Sequence, residues 1–214
     1  RVSEDSSNPD LMIEMADVHE KLKDPEAALD MLERAADYRK GSFDLVRRLG
    51  GLKAKVLKRK LSRADRDGDA EGAGRIEEEL RAFQAENARN LLGLRPGDAG
   101  LRLQLGKLLL RSGAIDEALA EFQKAVEDPR QKADALFYLG QAFQKKGFLD
   151  LSRKNFERAL EGAPAGDERT KEILYNLGEI AEAEGEGELA RSCYSRIFEV
   201  DIGYRDVAAK MERF

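Results

Sequence analysis

Between residues 99 and 132 the apolar positions fall into two runs at helical intervals, separated by a glycine. The first run is Leu101, Leu105, Leu108 and Leu109; the second is Ile115, Ala118, Leu119, Phe122, Ala125 and Val126, with Gly113 between them. Spacings of i, i+3 and i+4 place each set on one face of a helix. The segment therefore predicts two amphipathic helices packed antiparallel across a tight turn. Gly106, Ala118 and Ala125 allow the pair to approach closely, and Phe122 is the large group that fills the space between units.

The pattern then recurs. Gly106 and Gly140 stand 34 residues apart, each directly after a leucine, and laying 99–132 over 133–166 pairs Gly113 with Gly147, Phe122 with Phe156 and Ala125 with Ala159. A period of this length is one helix–turn–helix unit. The unit at 133–170 carries Leu136, Leu139 and Phe143, then Ser152, Phe156, Ala159 and Leu160, and Pro164 closes it. A four-residue insertion at 166–169 precedes a third unit, 171–203, in which Leu174, Leu177, Gly178, Gly185, Ala190, Tyr194 and Phe198 take the matching places. Ile197 replaces the expected alanine, which predicts looser or differently angled packing there.

A Leu-Gly pair in the first helix, glycine at the turn, then alanine, an aromatic, alanine and a closing proline resemble the tetratricopeptide repeat over 99–200. The resemblance implies an all-α, right-handed α-α superhelix whose surface binds a protein or peptide. Upstream the pattern weakens. In 9–42, Met12, Met15, Ala16 and His19 fit a first helix and Ala28, Leu32 and Ala35 a second, but Asp24-Pro25 replaces the glycine turn. The segment 43–98 opens with Val46, Leu49 and Gly50 and closes with Pro96, yet holds roughly 22 residues too many for one unit. It predicts an elongated helical hairpin, with helices at about 43–64 and 73–94 joined by a loop over 64–74. Residues 1–8 are expected to be a disordered N-terminal segment, and 204–214 one amphipathic capping helix over the apolar end of the stack.

Composition narrows the chemistry. Of 214 residues, 42% are hydrophobic and 37% charged; the apolar fraction, at helical spacing, argues against disorder despite a mean hydropathy of −0.58. A net charge of −5 gives no reason to expect nucleic acid or an anionic membrane as partner of the whole chain. Cys193 is the single cysteine, which excludes an internal disulfide framework; no stretch approaches the length of a membrane span, and the start is not a signal peptide. A cytoplasmic location is expected, with an upstream membrane anchor or further domain left open.

Candidate chemistry is sparse. His19 is the only histidine, so a His-based triad or His-rich metal site is excluded, and Cys193 is expected as a small buried hydrophobe. Asp65, Asp67 and Asp69 alternate as in a calcium loop, but the glycine comes two residues early and Ile76 stands where a bidentate glutamate is required. A polar hairpin tip is expected instead. The sequence thus predicts no catalytic residue, cofactor or metal.

Two surfaces are candidates for binding. The segment 45–64 holds eight basic residues and no acidic one. Lys55, Lys58, Arg59, Lys60 and Arg63 could bind RNA, an acidic membrane or an acidic protein; the favoured reading is compensation by Glu77, Glu78 and Glu79 on the opposite arm. No aromatic lies in 45–64 to stack a base, which further disfavours nucleic acid. The second candidate comes from the resemblance, in which first helices line a concave groove for a peptide. It implies Gln104, Lys107 and Arg111, then Phe137, Tyr138, Gln141 and Lys145, then Tyr175, Asn176 and Glu179 as exposed groove residues, Phe137 and Tyr175 being equally readable as packing groups. Charge is expected to run from Lys107, Arg111 and Lys145 to Glu172, Glu179 and Glu182, orienting the ligand. Lys107 stands where carboxylate-clamp members of the family have asparagine and Leu103 where they have lysine, which disfavours a chaperone tail. Homo-oligomerisation through the hairpin or the array ends is a further expectation.

Overall fold

The computed structural model describes residues 8–161, 163–164 and 166–213, and every regular element among them is a helix. The chain divides into two compact units, Arg1–Leu108 and Leu109–Phe214. The first holds α1 (Pro9–Lys21), α2 (Pro25–Tyr38), α3 (Phe43–Asp67), α4 (Ala70–Leu94) and most of α5 (Ala99–Ser112). The second holds the end of α5, α6 (Ile115–Ala125), α7 (Lys132–Lys145), α8 (Leu149–Leu160), α9 (Glu168–Ala183), α10 (Gly187–Phe198) and α11 (Val207–Met211). The fold class is that of an all-α helical repeat. The expected disorder at 1–8 falls outside the described residues except at Asn8, whose side chain accepts from the Asp10 amide at 2.9 Å and caps α1.

Within each pair the two helices meet at a small residue. A Cβ added at Gly140 would stand 2.5 Å from the Phe156 ring, and one at Gly178 would stand 2.5 Å from the Tyr194 ring. No larger residue fits while the ring keeps its place. Behind Phe156, the buried Ser152 hydroxyl donates to the Gly140 carbonyl at 2.8 Å. In the first unit Gly50 of α3 faces the Asn87 amide of α4, so the same contact is made there with a polar group.

Turns between paired helices share one device. The first or second residue after the first helix adopts a left-handed conformation and two amides turn back to the last carbonyls. At Gly147 (φ 78°) the Phe148 amide donates to the Phe143 carbonyl and the Gly147 amide to the Gln144 carbonyl, both at 3.0 Å. Between α1 and α2 the glycine position belongs to Lys23, held at φ 60°, with Asp24 donating to the His19 carbonyl at 3.0 Å. The glycine turn expected to be absent from this unit is thus retained in shape without its glycine.

The hairpin tip differs from expectation. Instead of a loop over 64–74, only Gly68 and Asp69 separate α3 from α4. Gly68 caps α3 in the left-handed region, and the Asp69 side chain accepts from the Gly72 amide at 2.8 Å to start α4. The acidic residues that resembled an ion loop are helix-end residues. At 25 residues each, α3 and α4 run about 37 Å, nearly twice the length of α1.

The terminal cap is also shorter than 204–214, because Arg205 takes φ 46° and leaves only Val207–Met211 helical. Val207 is nonetheless fully buried, in one cluster with Tyr194, Ile197 and Tyr204. Ile197, expected to loosen the packing, is itself fully buried in that cluster.

Gly140→Ala should lower thermal and denaturant stability by about 1–3 kcal/mol through overpacking on Phe156. Gly51→Ala, whose Cβ meets nothing within 4 Å, should raise it by about 0.5–1 kcal/mol. Lys23→Gly should relieve the left-handed strain and add up to about 1 kcal/mol, read in the same melts.

Candidate functional site

The stripe on the first helices keeps its register from unit to unit. Gln104, Lys107 and Arg111 of α5 correspond to Tyr138, Gln141 and Lys145 of α7, and the first two of these to Asn176 and Glu179 of α9. Gln104 and Lys107 belong to the first unit and Arg111 to the second. Gln104, Arg111 and Lys145 are exposed, whereas Lys107, Tyr138, Gln141, Asn176 and Glu179 are half-buried.

Phe137 and Tyr175 are buried, which corrects their placement as exposed groove residues. Their rings support the surface from beneath. Phe137 meets Tyr138 edge-on at 5.0 Å and Phe156 at 5.8 Å. Tyr175 meets Tyr194 at 5.9 Å and Tyr204 at 6.2 Å, and its hydroxyl donates to Asp206 at 2.7 Å. Burial and that bond to a carboxylate push the Tyr175 phenol well above its ordinary range.

Between α7 and α9 the polar side chains converge on Glu172. Its carboxylate accepts from the Gln141 amide and from Arg169, each at 3.4 Å, with Arg205 at 3.9 Å. The Asn176 amide donates to the Glu172 carbonyl at 2.6 Å. Arg169 lies 3.9 Å over the Phe137 ring and 5.2 Å over that of Tyr138, and pairs with Asp134 at 3.5 Å. Sequence reasoning missed Arg169 as a member of this surface. The available signal was its position at the end of the inserted segment, where Asp167 caps α9 and directs the next residues back toward α7.

These contacts also alter the expected charge gradient. Glu182 accepts from the Tyr194 hydroxyl at 3.0 Å and is paired with Lys210, so it is neutralised within the core rim. Glu172 is compensated by two guanidinium groups. Of the three acidic residues, only Glu179 has no ion pair among the described residues.

The basic arm is partly compensated, though not by the expected partners. Arg48 pairs with Asp17 and, at 2.6 Å, with Glu20 of α1, while Arg59 pairs with Glu26 of α2 at 3.3 Å. Arg63 pairs within its own helix with Asp67 at 3.7 Å, and Lys53 lies 4.9 Å over the Phe83 ring. Glu77 turns to Arg81 on its own helix at 3.2 Å instead of to Lys60 or Arg63. Lys55, Lys58 and Lys60 are exposed and have no ion pair among the described residues. Lys55, Arg59, Lys23, Glu20 and Pro25 line a surface pocket of about 510 Å³.

No group of three or more His, Cys, Asp or Glu capable of holding a metal occurs among the described residues. Cys193 is buried, and that burial pushes its thiol up, away from a reactive thiolate. No helix among the described residues is long and apolar enough to cross a membrane.

Comparison with known proteins follows the same lines. Residues 106–147 match the family described as TPR repeat, and residues 137–199 the family described as tetratricopeptide repeat. No curated protein matches by sequence. Among solved structures the chain is similar to YrrB, described as a TPR protein with an unusual peptide-binding site, at 18% identity and a TM-score of 0.65, covering 100% of this chain and 96% of that one. It is similar to the MamA protein at 15% identity and a TM-score of 0.65, covering 90% and 91%. A MamA fragment from Desulfovibrio magneticus RS-1 aligns at 17% identity and a TM-score of 0.62, covering 92% and 96%. At such identities the likeness is one of fold.

Acid should loosen the terminal cap first. The bond from Lys171 holds Asp201 below its ordinary value of 3.8, and the bond from Tyr175 does the same for Asp206. These groups therefore contribute stability that is complete above about pH 4 and is lost as pH falls through the lowered folded values. Amide exchange across 204–211 is expected to accelerate below that pH before exchange in α6–α8 does. Asp206→Asn combined with Asp201→Asn should flatten the dependence.

Proposed function

Residues 106–199 belong to the tetratricopeptide repeat family, and from that premise we propose that the chain is a non-catalytic protein-interaction scaffold that holds a peptide segment against α7 and α9. The observation that carries this reading is the surface around Tyr138. A half-buried phenol lies beside Arg169, with Gln141, Asn176 and Glu179 in reach of the same face. An aromatic with arginine and amides is the composition that concentrates binding energy and fixes hydrogen-bond register. The rings of Phe137 and Tyr175 hold the face rigid, which limits the entropy lost on binding. Lys145 and Glu179 leave one cation and one anion for a segment of opposite polarity, with Gln104, Lys107 and Arg111 extending the stripe in sequence. The peptide-binding site ascribed to YrrB supports the class of ligand, not its identity.

A second reading is favoured by Lys55, Lys58 and Lys60. Three exposed lysines on one stretch of α3 with Arg59 and Arg63, the lysines having no ion pair among the described residues, suit an acidic protein surface more than a nucleic acid, since the stretch has no aromatic.

Selection of a displayed random-peptide library on the purified chain tests the first reading. Enriched peptides should lose about 10–100-fold in affinity on Tyr138→Ala with Asn176→Ala, with the melting curve retained. Peptides that bind this double variant unchanged, but fail on Lys58→Glu with Lys60→Glu, would move the site to the basic arm; their affinity should also fall steeply with salt.

A further inference from the structure

The first helix, α1, has two apolar faces, of which only one is used. Met12 and Ala16 pack into the cluster formed with Ala28, Leu32, Leu45 and Leu52. The second face is Leu11, Met15, Val18 and Leu22, spaced i, i+4, i+7 and i+11, and Leu11, Val18 and Leu22 are 36%, 53% and 70% exposed. Scattered surface leucines need no explanation, but this set is continuous and occupies defined repeat positions.

Alignment of the units identifies what those positions do elsewhere. Ala16 corresponds to Gly50, Gly140 and Gly178, so Leu11 and Val18 correspond to Leu45 and Leu52, Ala135 and Ala142, and Ile173 and Ile180. All six of these are between 0% and 6% exposed, on helices that pack against the second helix of the preceding unit. In α5, Leu101 and Leu108 hold the same places and are half-buried. The outer face of α1 therefore has the pattern of the faces that receive a helix elsewhere in the chain, with Leu11, Val18 and Leu22 exposed among the described residues.

We propose that this face pairs with the same face of a second copy of the chain, the two α1 helices running antiparallel about a two-fold axis. The stripe is self-complementary under that operation: Leu11 opposes Leu22 of the second copy and Met15 opposes Val18. Glu14 and Lys21 lie on one edge of the stripe without an ion pair among the described residues, and the antiparallel arrangement brings each within reach of the other across the seam. A seam one short helix long is smaller than a standard interface of about 800 Å² per partner, so dissociation falls in the micromolar range or weaker.

Sedimentation velocity of the 214-residue chain from about 5 to about 500 µM reads the equilibrium directly. The mass should rise from monomer toward dimer, while Val18→Glu remains monomeric throughout with an unchanged melting midpoint. Glu14→Lys should weaken the dimer severalfold, and Glu14→Lys with Lys21→Glu should restore it. A wild-type chain that is monomeric at the highest concentration overturns the proposal, as would be the case if the face accepts a helix of another protein. A dimer that survives Val18→Glu, or one that the double charge swap leaves weakened, overturns the antiparallel α1 seam.

Discussion

Everything in the second unit depends on the close approach of two helices at a glycine. At Gly140 and Gly178 the missing Cβ is replaced by the ring of Phe156 or Tyr194, and that ring also meets an aromatic one turn earlier on the same first helix, Phe156 with Phe137 and Tyr194 with Tyr175. These contacts close each pair, and the Phe122 ring of α6, stacked 5.5 Å from Tyr138 of α7, joins one pair to the next. Burying an aromatic ring on both sides is a large apolar gain in a single position. It also explains why Phe137 and Tyr175 are buried: they are the receiving surface of the same interlock.

Because the aromatic layer is fixed this way, the polar residues above it are fixed as well. Arg169 lies on the Phe137 ring, Glu172 gathers Gln141, Arg169 and Arg205, and Asn176 returns to the backbone of its own helix. A surface whose side chains already satisfy one another is held in one arrangement. If the proposed peptide docks here, exchanging these internal bonds for bonds to the peptide gives specificity more than raw affinity. At the terminus the same logic operates with charges, where Lys171, Lys210 and Asp206 fasten the cap to the phenols of Tyr204, Tyr194 and Tyr175.

The first unit departs by length and by polarity. Asn87 stands where the downstream pairs have a ring, and α3 extends well past α1. Arg48 and Arg59 tie α3 to the acidic residues of α1 and α2, while Lys55, Lys58 and Lys60, interspersed with them, have no ion pair among the described residues.

The sequence by itself determined the helices, their pairing and the repeat register, because helical periodicity, a 34-residue recurrence and glycine turns are local signals that survive any tertiary context. It also nominated Tyr138 and Asn176, which share one register position, and Gln141, which lies one turn further on. Where it fell short, the deciding forces were not local. The 64–74 loop shrank to Gly68-Asp69 because Gly68 closes α3 in the left-handed region and the Asp69 carboxylate starts α4, and the capping helix shortened where Arg205 turned to lie over Tyr175 and Tyr204. Charge pairing could not be read from the chain at all: Arg48 and Arg59 reach across 28 to 33 residues, while Glu77 stays on its own helix. Periodicity fixes which face a residue is on, but which charge it meets there depends on the azimuth and depth at which the helices dock, and only the packed rings and glycines set those.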